Sequence, residues 1–343
     1  MYSQLRTILR RATRDENQPL NICVFATHER YDEMLCRTNH NFYAYNTKGG
    51  KRWNTKYSSI PKNYTMLNAN KGEYQLLPWV DIDLVLSQNK EAQFPIAKQL
   101  AMQMGVPLIS MEHTLPYPGA PSSYVHALHK RQGDIDVFVT DYNREAWGYP
   151  KGHGEINNTG IDVEMFSPDD SVEKRPLVLT IGNDFINRDH LLGYTLWQQT
   201  TGYPDEPKLP ATVIGDTKGL SAPADTIDEL VKAYRTCSIY LNTTLCSSLP
   251  TVILEAMACE IPVVTTGTTL IPKLMVKHGH NGFISHNNDP DELRHYCVLL
   301  LKDEKLRMEM GKNARQWVID NFGEQRFIDK WNEIFNKTLA MRR

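Results

Sequence analysis

Short, nearly continuous apolar runs recur along this chain, and they constrain its fold more than any other feature. They are Asn21–Ala26, Ile82–Ser87, Pro107–Met111, Asp136–Thr140, Leu177–Ile181, Ala211–Ile214, Ser238–Asn242 and Pro262–Thr265. Each is rich in Val or Ile and fails to alternate with polar residues, as parallel strands buried on both faces do. Between them lie segments such as Glu91–Met104 and Ile227–Arg235, with apolar residues at three- and four-residue spacing. Strand and helix signals that alternate in this way predict an α/β architecture of open parallel sheets.

A chain of 343 residues is long enough for two such sheets. The polar stretch at 166–176, FSPDDSVEKRP, holds two prolines and precedes a fresh strand, which marks a boundary. The expected layout is a first domain over 1–168, a second over 169–320, and a carboxyl-terminal helix over 321–343 that packs back on the first. A hydrophobic fraction of 41% and a charged fraction of 23% exclude a disordered chain. No apolar stretch approaches the ~18 residues of a membrane helix, so no stable membrane insertion is expected. The basic start, MYSQLRTILRRATRDENQ, lacks the apolar core of a secretory signal. It could lie on an anionic membrane as an amphipathic segment, although a solvated helix suits its few apolar residues better. The six cysteines stand far apart, without CxxC pairs, and read as reduced thiols of a cytoplasmic protein. With a net charge of −2, any nucleic-acid contact must rest on a local patch.

Sheets of this kind bind ligands at the carboxyl ends of their strands, so two of them predict a cleft lined by those ends. The most informative stretch is Leu249–Phe283, LPTVILEAMACEIPVVTTGTTLIPKLMVKHGHNGF. It places Glu255 at an expected helix start, followed by the small residues Ala256 and Ala258 and then by Pro262 opening a strand. A carboxylate there can accept both hydroxyls of a ribose, or it can serve the helix as a cap or dipole partner.

The run P-T-V-I-L-E-A-M-A-C-x-I-P-V-V, followed by I-P, H-G-x-N-G-F, D-x-x-E-L and M-G-x-x-A-R, resembles family-4 glycosyltransferases of the GT-B fold. The likeness covers about residues 155–335. It also takes in G-I-D-x-x-x-F-x-P at Gly160–Pro168 and V-I-G-D at Val213–Asp216. The resemblance implies GT-B, two Rossmann-like doubly wound parallel-sheet domains with a cleft between them. It implies a nucleoside diphosphate sugar, a UDP-sugar foremost, as donor substrate, and no cofactor. Glu255 would bind the ribose and Arg188 the diphosphate. Gly182, Asn183, Gly215, Ser247, Ser248, Thr251 and Lys273 would complete the donor site.

Four positions depart from the family pattern. Ser247 stands where the first Glu of an E-x7-E pair would fall, and Asn183 where an Arg usually follows the first-strand Gly. Glu260 replaces the Gly of an A-C-G-x-P turn, and Lys273 replaces the Glu after I-P. Because that first Glu contacts hydroxyls of the transferred sugar in the family, Ser247 suggests an altered donor, such as a pentose.

In the amino-terminal half, Thr27-His28-Glu29-Arg30-Tyr31 follows the first strand, where family members carry a Gly-rich loop. The threonine is also a sound helix cap. Ser110–Pro116, SMEHTLP, sets Glu112 and His113 just beyond a buried strand. A His at this point contacts the transferred sugar in related enzymes, so His113 and Arg188 are the expected catalytic residues. Residues 21–72 hold eight Lys/Arg against three acids, interleaved with Tyr31, Phe42, Tyr43, Tyr45, Trp53, Tyr57 and Tyr64. Such a patch can track a phosphate backbone and stack an extruded base, or it can be a solvated loop with aromatics in the core. His28, Arg30, Tyr31, Lys51, Arg52 and Glu112 are the candidate acceptor-binding residues. A weaker likeness of T-H-E-R-Y and T-N-H-N-F-Y to glycosyltransferase-like proteins of bacteriophages makes double-stranded DNA bearing 5-hydroxymethylcytosine a concrete acceptor.

The expected chemistry is a retaining transfer, with no metal. Asp81-Ile82-Asp83 precedes its strand and so reads as structural rather than as a DxD metal motif. Two alternatives stand beside DNA glycosylation: the same transfer to a glycan, lipid-linked or small-molecule hydroxyl, and a nucleotide-sugar-binding module that has lost catalysis.

Overall fold

The computed structural model describes residues 9, 15, 18–46, 53–68, 80–267 and 274–341. They fall into two compact units. Unit 1 draws its described residues from 1–116, 120–158 and 327–343, and unit 2 from 117–119 and 159–326.

In unit 1 the chain runs β1 (Asn21–Phe25), α1 (Glu29–Cys36), β2 (Asn41–Asn46), β3 (Tyr64–Asn68), β4 (Leu84–Ser87), α2 (Phe94–Met104), β5 (Leu108–Glu112), α3 (Ser122–His129), β6 (Ile135–Phe138), α4 (Asp141–Ala146) and β7 (Glu155–Ile156). The sheet order is β3-β2-β1-β4-β5-β6-β7, with every pairing parallel. From β1 the chain first builds outward to β3 and then crosses to β4 on the other side. The carboxyl ends of β1 and β4 therefore form a topological switch point, where doubly wound sheets open a crevice. Residues of β1, β4 and β5 are buried throughout, which explains their unbroken apolar runs. Helix α2 opens with Pro95 in its first turn and stops at Gly105, whose φ of 65° suits a residue without a Cβ.

Unit 2 runs β8 (Val178–Ile181), α5 (Asp189–Leu192), α6 (Tyr194–Thr201), β9 (Ala211–Ile214), α7 (Ile227–Thr236), β10 (Ile239–Asn242), α8 (Thr251–Ala258), β11 (Val263–Thr265), β12 (Gly282–Ile284), α9 (Pro290–Lys302) and α10 (Glu304–Phe322). Its parallel sheet has the order β12-β11-β10-β8-β9, so the switch point lies between β8 and β10. Side-chain oxygens cap three of its helices. Thr226 accepts from Glu229 N–H ahead of α7, Asp289 from Asp291 N–H ahead of α9, and Asp303 from Leu306 N–H ahead of α10.

Helix α11 (Glu324–Ala340) belongs to unit 1 from Phe327 onward. Phe327 meets Tyr31 edge-on with ring centroids 5.5 Å apart, and Phe335 meets His40 at 5.3 Å. Lys330 Nζ pairs with Glu155 Oε2 at 2.9 Å, and Trp331, Ile334 and Phe335 are fully buried.

The strands expected from sequence form, with shifts of one or two residues at their ends; β2, β3, β7 and β12 were not anticipated. Asp83 is buried at the start of β4 and accepts the Asn21 N–H at 2.7 Å. Among the described residues no helix is long and apolar enough to cross a membrane.

Candidate functional site

In unit 2 the loops after β8 and β9 are tied together at the sheet's carboxyl edge. Asp184 N–H donates to Asp216 Oδ1 at 2.6 Å and Phe185 N–H to Thr217 Oγ1 at 2.8 Å. In return, Asp216 N–H donates to Asn183 Oδ1 at 3.3 Å. Gly215 has no room for a side chain, since a Cβ there would lie 2.0 Å from Gly182 O. The V-I-G-D turn thus needs its glycine because two backbones meet there. Asn183 and Arg188 are exposed. Arg188 precedes α5, and its side chain makes no hydrogen bond or ion pair with a described residue.

The loop after β10 is held against α5. Leu245 N–H and Cys246 N–H donate to Leu191 O at 2.7 and 3.1 Å, and Thr243 Oγ1 donates to Leu192 O at 3.0 Å. Gly182, Asn183, Arg188, Gly215, Ser247 and Ser248 therefore gather in three connected loops at the carboxyl ends of β8, β9 and β10. Ser247, Ser248 and Thr251 are half-buried, and Thr251 is the first residue of α8.

Glu255 does not stand at a helix start as expected. Pro250 is the N-cap of α8, and the first turn carries no acid, so Glu255 falls in the second turn. A cap or dipole role belongs to the first turn and does not apply to it. Glu255 is 2% exposed, and Tyr234 of α7 donates to its Oε2 at 2.9 Å. The A-C-E-x-P turn that follows gives Glu260 a φ of 59°, the left-handed region in which the family's usual glycine costs least. Lys273, Lys51 and Arg52 lie outside the described residues.

In unit 1, His113 follows β5, Gln88 follows β4, and Thr27 and His28 follow β1, all at the switch-point end of the sheet. His113 Nε2 lies 3.0 Å from Gln88 Oε1. Gln88 Nε2 donates to Phe25 O at 3.1 Å and to Asp32 Oδ1 at 2.8 Å. Asp32 Oδ2 in turn accepts from Thr27 N–H at 3.0 Å and Tyr64 Oη at 3.2 Å. Burial pushes the Asp32 carboxyl up to about 6, against the lowering effect of these donors. Burial pushes His113 down to about 4, helped by the nearby His28, so the ring is neutral at ordinary pH. Tyr31 packs edge-on against His113, with centroids 4.5 Å apart, and donates to Met111 Sδ at 3.0 Å.

Glu112 is buried, and it accepts Lys90 N–H on Oε2 and both the N–H and the hydroxyl of Thr114 on Oε1. It shapes the turn that carries His113. Thr27 does not cap α1: its hydroxyl donates back to Phe25 O, and the N-cap is His28, with no side-chain cap bond. His28 is exposed and Arg30 half-buried. Of the aromatics between 21 and 72, Tyr31, Phe42 and Tyr64 are buried, and Trp53 leans on Tyr64 while its indole donates to Ser58 O.

Gln88, Asp32 and Tyr234 were not anticipated. A residue type carries no sign of its partner across the sheet, and only the rule that strand ends at a switch point hold the site could have flagged Gln88. Among the described residues no three His, Cys, Asp or Glu side chains come together as a metal-holding group.

Residues 223–317 match the family model described as glycosyl transferases group 1. The chain is 33% identical over 88 residues to the N-acetyl-alpha-D-glucosaminyl L-malate synthase of Bacillus anthracis, a stretch covering 26% of this chain and 23% of that protein. The match likewise spans about a quarter of the length of further curated relatives. Two solved structures superpose over nearly the whole chain. One is Anabaena Alr3699/HepE in complex with UDP, with a TM-score of 0.70, 14% identity and coverage of 93% of this chain and all of that one. The other is the sucrose-phosphate synthase of Thermosynechococcus elongatus, with a TM-score of 0.71, 13% identity and coverage of 94% of this chain and all of that one. With two parallel-sheet α/β units, the chain has the GT-B fold.

Proposed function

We propose that this chain is a glycosyltransferase that moves a sugar from a nucleoside diphosphate sugar, UDP-linked in the first instance, to an acceptor hydroxyl with retention of configuration. The observation that carries the reading is the clustering of Gly182, Arg188, Gly215, Ser247 and Ser248 in the connected loops at the carboxyl ends of β8, β9 and β10 in unit 2. The domain match over 223–317 begins before α7 and includes Tyr234, Ser247 and Glu255.

Glu255 accepts hydrogen bonds from the ribose diol, with Tyr234 holding one of its oxygens. Asp184 and Phe185 N–H are already engaged within the protein. Diphosphate charge therefore falls to Arg188 and to the N–H groups at the start of α8, with Lys273 as a further candidate. The bond between the sugar's anomeric carbon and the diphosphate oxygen breaks, and charge grows on the leaving group. The acceptor oxygen bonds to the same face of that carbon and passes its proton to the departing phosphate. His113, neutral and fixed, orients the sugar.

Ser247 offers a short neutral hydroxyl where the family presents a carboxylate, which suits a sugar without the usual hexose contact, such as a pentose. The DNA reading rests on residues 21–72, where Tyr31, Phe42 and Tyr64 serve the core. A hydroxyl on a glycan or small molecule is the acceptor class we favour, in keeping with the malate named for one relative. Hydroxymethylcytosine DNA remains an arm of the test.

The test is mass spectrometry of a panel of UDP-, GDP- and ADP-sugars, pentoses included, against hydroxymethylcytosine DNA, hydroxy acids and sugars, with Glu255→Ala and Arg188→Ala as controls. Transfer by the wild type alone, with the anomeric configuration kept, is the expected result. Absence of nucleotide binding in calorimetry would reject both catalysis and a lapsed binding module. Binding without transfer to any acceptor would leave the binding module.

A further inference from the structure

We infer that Gln88 is a positioning residue that fixes the tautomer and ring plane of His113, placing the imidazole proton on Nε2. This rests on the reading of His113 as the sugar-orienting group, but the tautomer itself can be measured independently of it.

The orientation of the Gln88 amide decides the matter. Its nitrogen lies 3.1 Å from Phe25 O, a backbone carbonyl that can only accept, and 2.8 Å from Asp32 Oδ1. The NH2 end therefore faces β1 and α1, and Oε1 faces His113 Nε2 at 3.0 Å. An amide oxygen only accepts, so Nε2 must carry the proton, and a neutral imidazole has no second one.

The support behind Gln88 is rigid. Asp32 is 1% exposed and is held on its far oxygen by Thr27 N–H and Tyr64 Oη. Gln88 N–H donates to Gln93 Oε1 at 2.8 Å. Two residues on, Lys90 is fully buried, and its Nζ bonds to Arg131 O at 2.6 Å and to Ser110 Oγ and Asp136 Oδ1 at 3.3 Å. Arg131 Nη1 returns a bond to Lys90 O at 2.6 Å, so the loop carrying Gln88 is pinned from both sides. The Tyr31 ring packs nearly perpendicular to the His113 ring, with centroids 4.5 Å apart. A side chain held by locked neighbours of this kind keeps a site in productive geometry.

The test is nitrogen NMR on the full chain with 15N-labelled histidine. The His113 signals are identified among the eleven histidines by their loss in His113→Gln. The wild type should show a protonated Nε2 and an unprotonated Nδ1 from pH 5.5 to 8, and Gln88→Met should shift the ring to a tautomer mixture. The wild-type spectrum alone reports the tautomer, so a variant that fails to fold does not remove the test. A wild-type Nδ1–H tautomer, or an unchanged ring in Gln88→Met, overturns the proposal.

Turnover of the UDP-sugar that the donor panel identifies, with water as acceptor, provides the second readout. Gln88→Met should lower kcat about tenfold with little change in KM, and His113→Ala should cost as much, with the double variant no worse than either. If the tautomer is as expected but His113→Ala turns over normally, the sugar-orienting reading of His113 fails while the role of Gln88 toward the ring stands.

Discussion

Tyr234 Oη lies 2.9 Å from Glu255 Oε2, and both side chains are buried, so a helix that precedes β10 holds the carboxylate of the helix that follows it. If that carboxylate receives a ribose, Tyr234→Phe should weaken UDP binding about tenfold, roughly the 1.4 kcal/mol of one charge-assisted bond. Calorimetry checks this. A variant that melts earlier but binds UDP as before would make the Tyr234–Glu255 bond a packing contact only.

Glu260 occupies a left-handed backbone position with φ 59°, and its carbonyl oxygen would lie 2.3 Å from a Cβ placed at Gly311. Glu260→Gly should relieve the local strain and raise stability by about 1 kcal/mol, net of the glycine's extra unfolded-state entropy. Thermal denaturation of the pair measures it, and a lower melting point would show that the Glu side chain contributes more than the strain costs.

Gly215→Ala should have the opposite effect. A Cβ directed at Gly182 O cannot be accommodated without parting the loops after β8 and β9. A loss of about 1–3 kcal/mol is expected, together with weaker nucleotide binding. Unchanged UDP affinity in a folded Gly215→Ala protein would separate these loops from the donor site.

Asp32 and His113 contribute to the pH dependence of stability in opposite directions. The Asp32 carboxyl stands at about 6 against 3.8 for an unfolded chain, so between those values the native state binds more protons. Its contribution is fully present below 3.8 and declines as pH rises to about 6. His113 stands at about 4 against 6.5, so the unfolded state binds more protons in that window. Its contribution is fully present above 6.5 and is lost as pH falls toward 4. Each is worth at most about 3 kcal/mol, and in the wild type they largely cancel. Relative to the wild type, denaturant melts should show His113→Gln losing stability as pH rises from 4 to 6, and Asp32→Asn gaining it. Parallel slopes in the two variants would count against both shifts.

The strands that position the site were legible because β1, β4, β5 and β8 are buried on both faces and must be continuously apolar. β2 escaped because Asn41–Asn46, NFYAYN, mixes polar ends with aromatics and reads as a loop. β7 and β12 are two and three residues long, too short for any periodicity. Glu255 was visible through its motif, but its helix position was not, since Pro250 starts the helix earlier than the acid suggested. Gln88 and Asp32 were silent. They are separated by 56 residues in the chain, and only the pairing of β1 with β4 brings their neighbours together.

Unit 1 takes its last helix from residues that follow all of unit 2. On the ribosome, the Tyr31 and His40 rings emerge early but cannot meet Phe327 and Phe335 until some three hundred further residues have been made. Unit 2 needs no such wait, because its residues emerge as one nearly unbroken block. The order of synthesis thus favours completion of the later unit first, while the earlier one stays short of its closing helix and exposed to chaperones and proteases for longer.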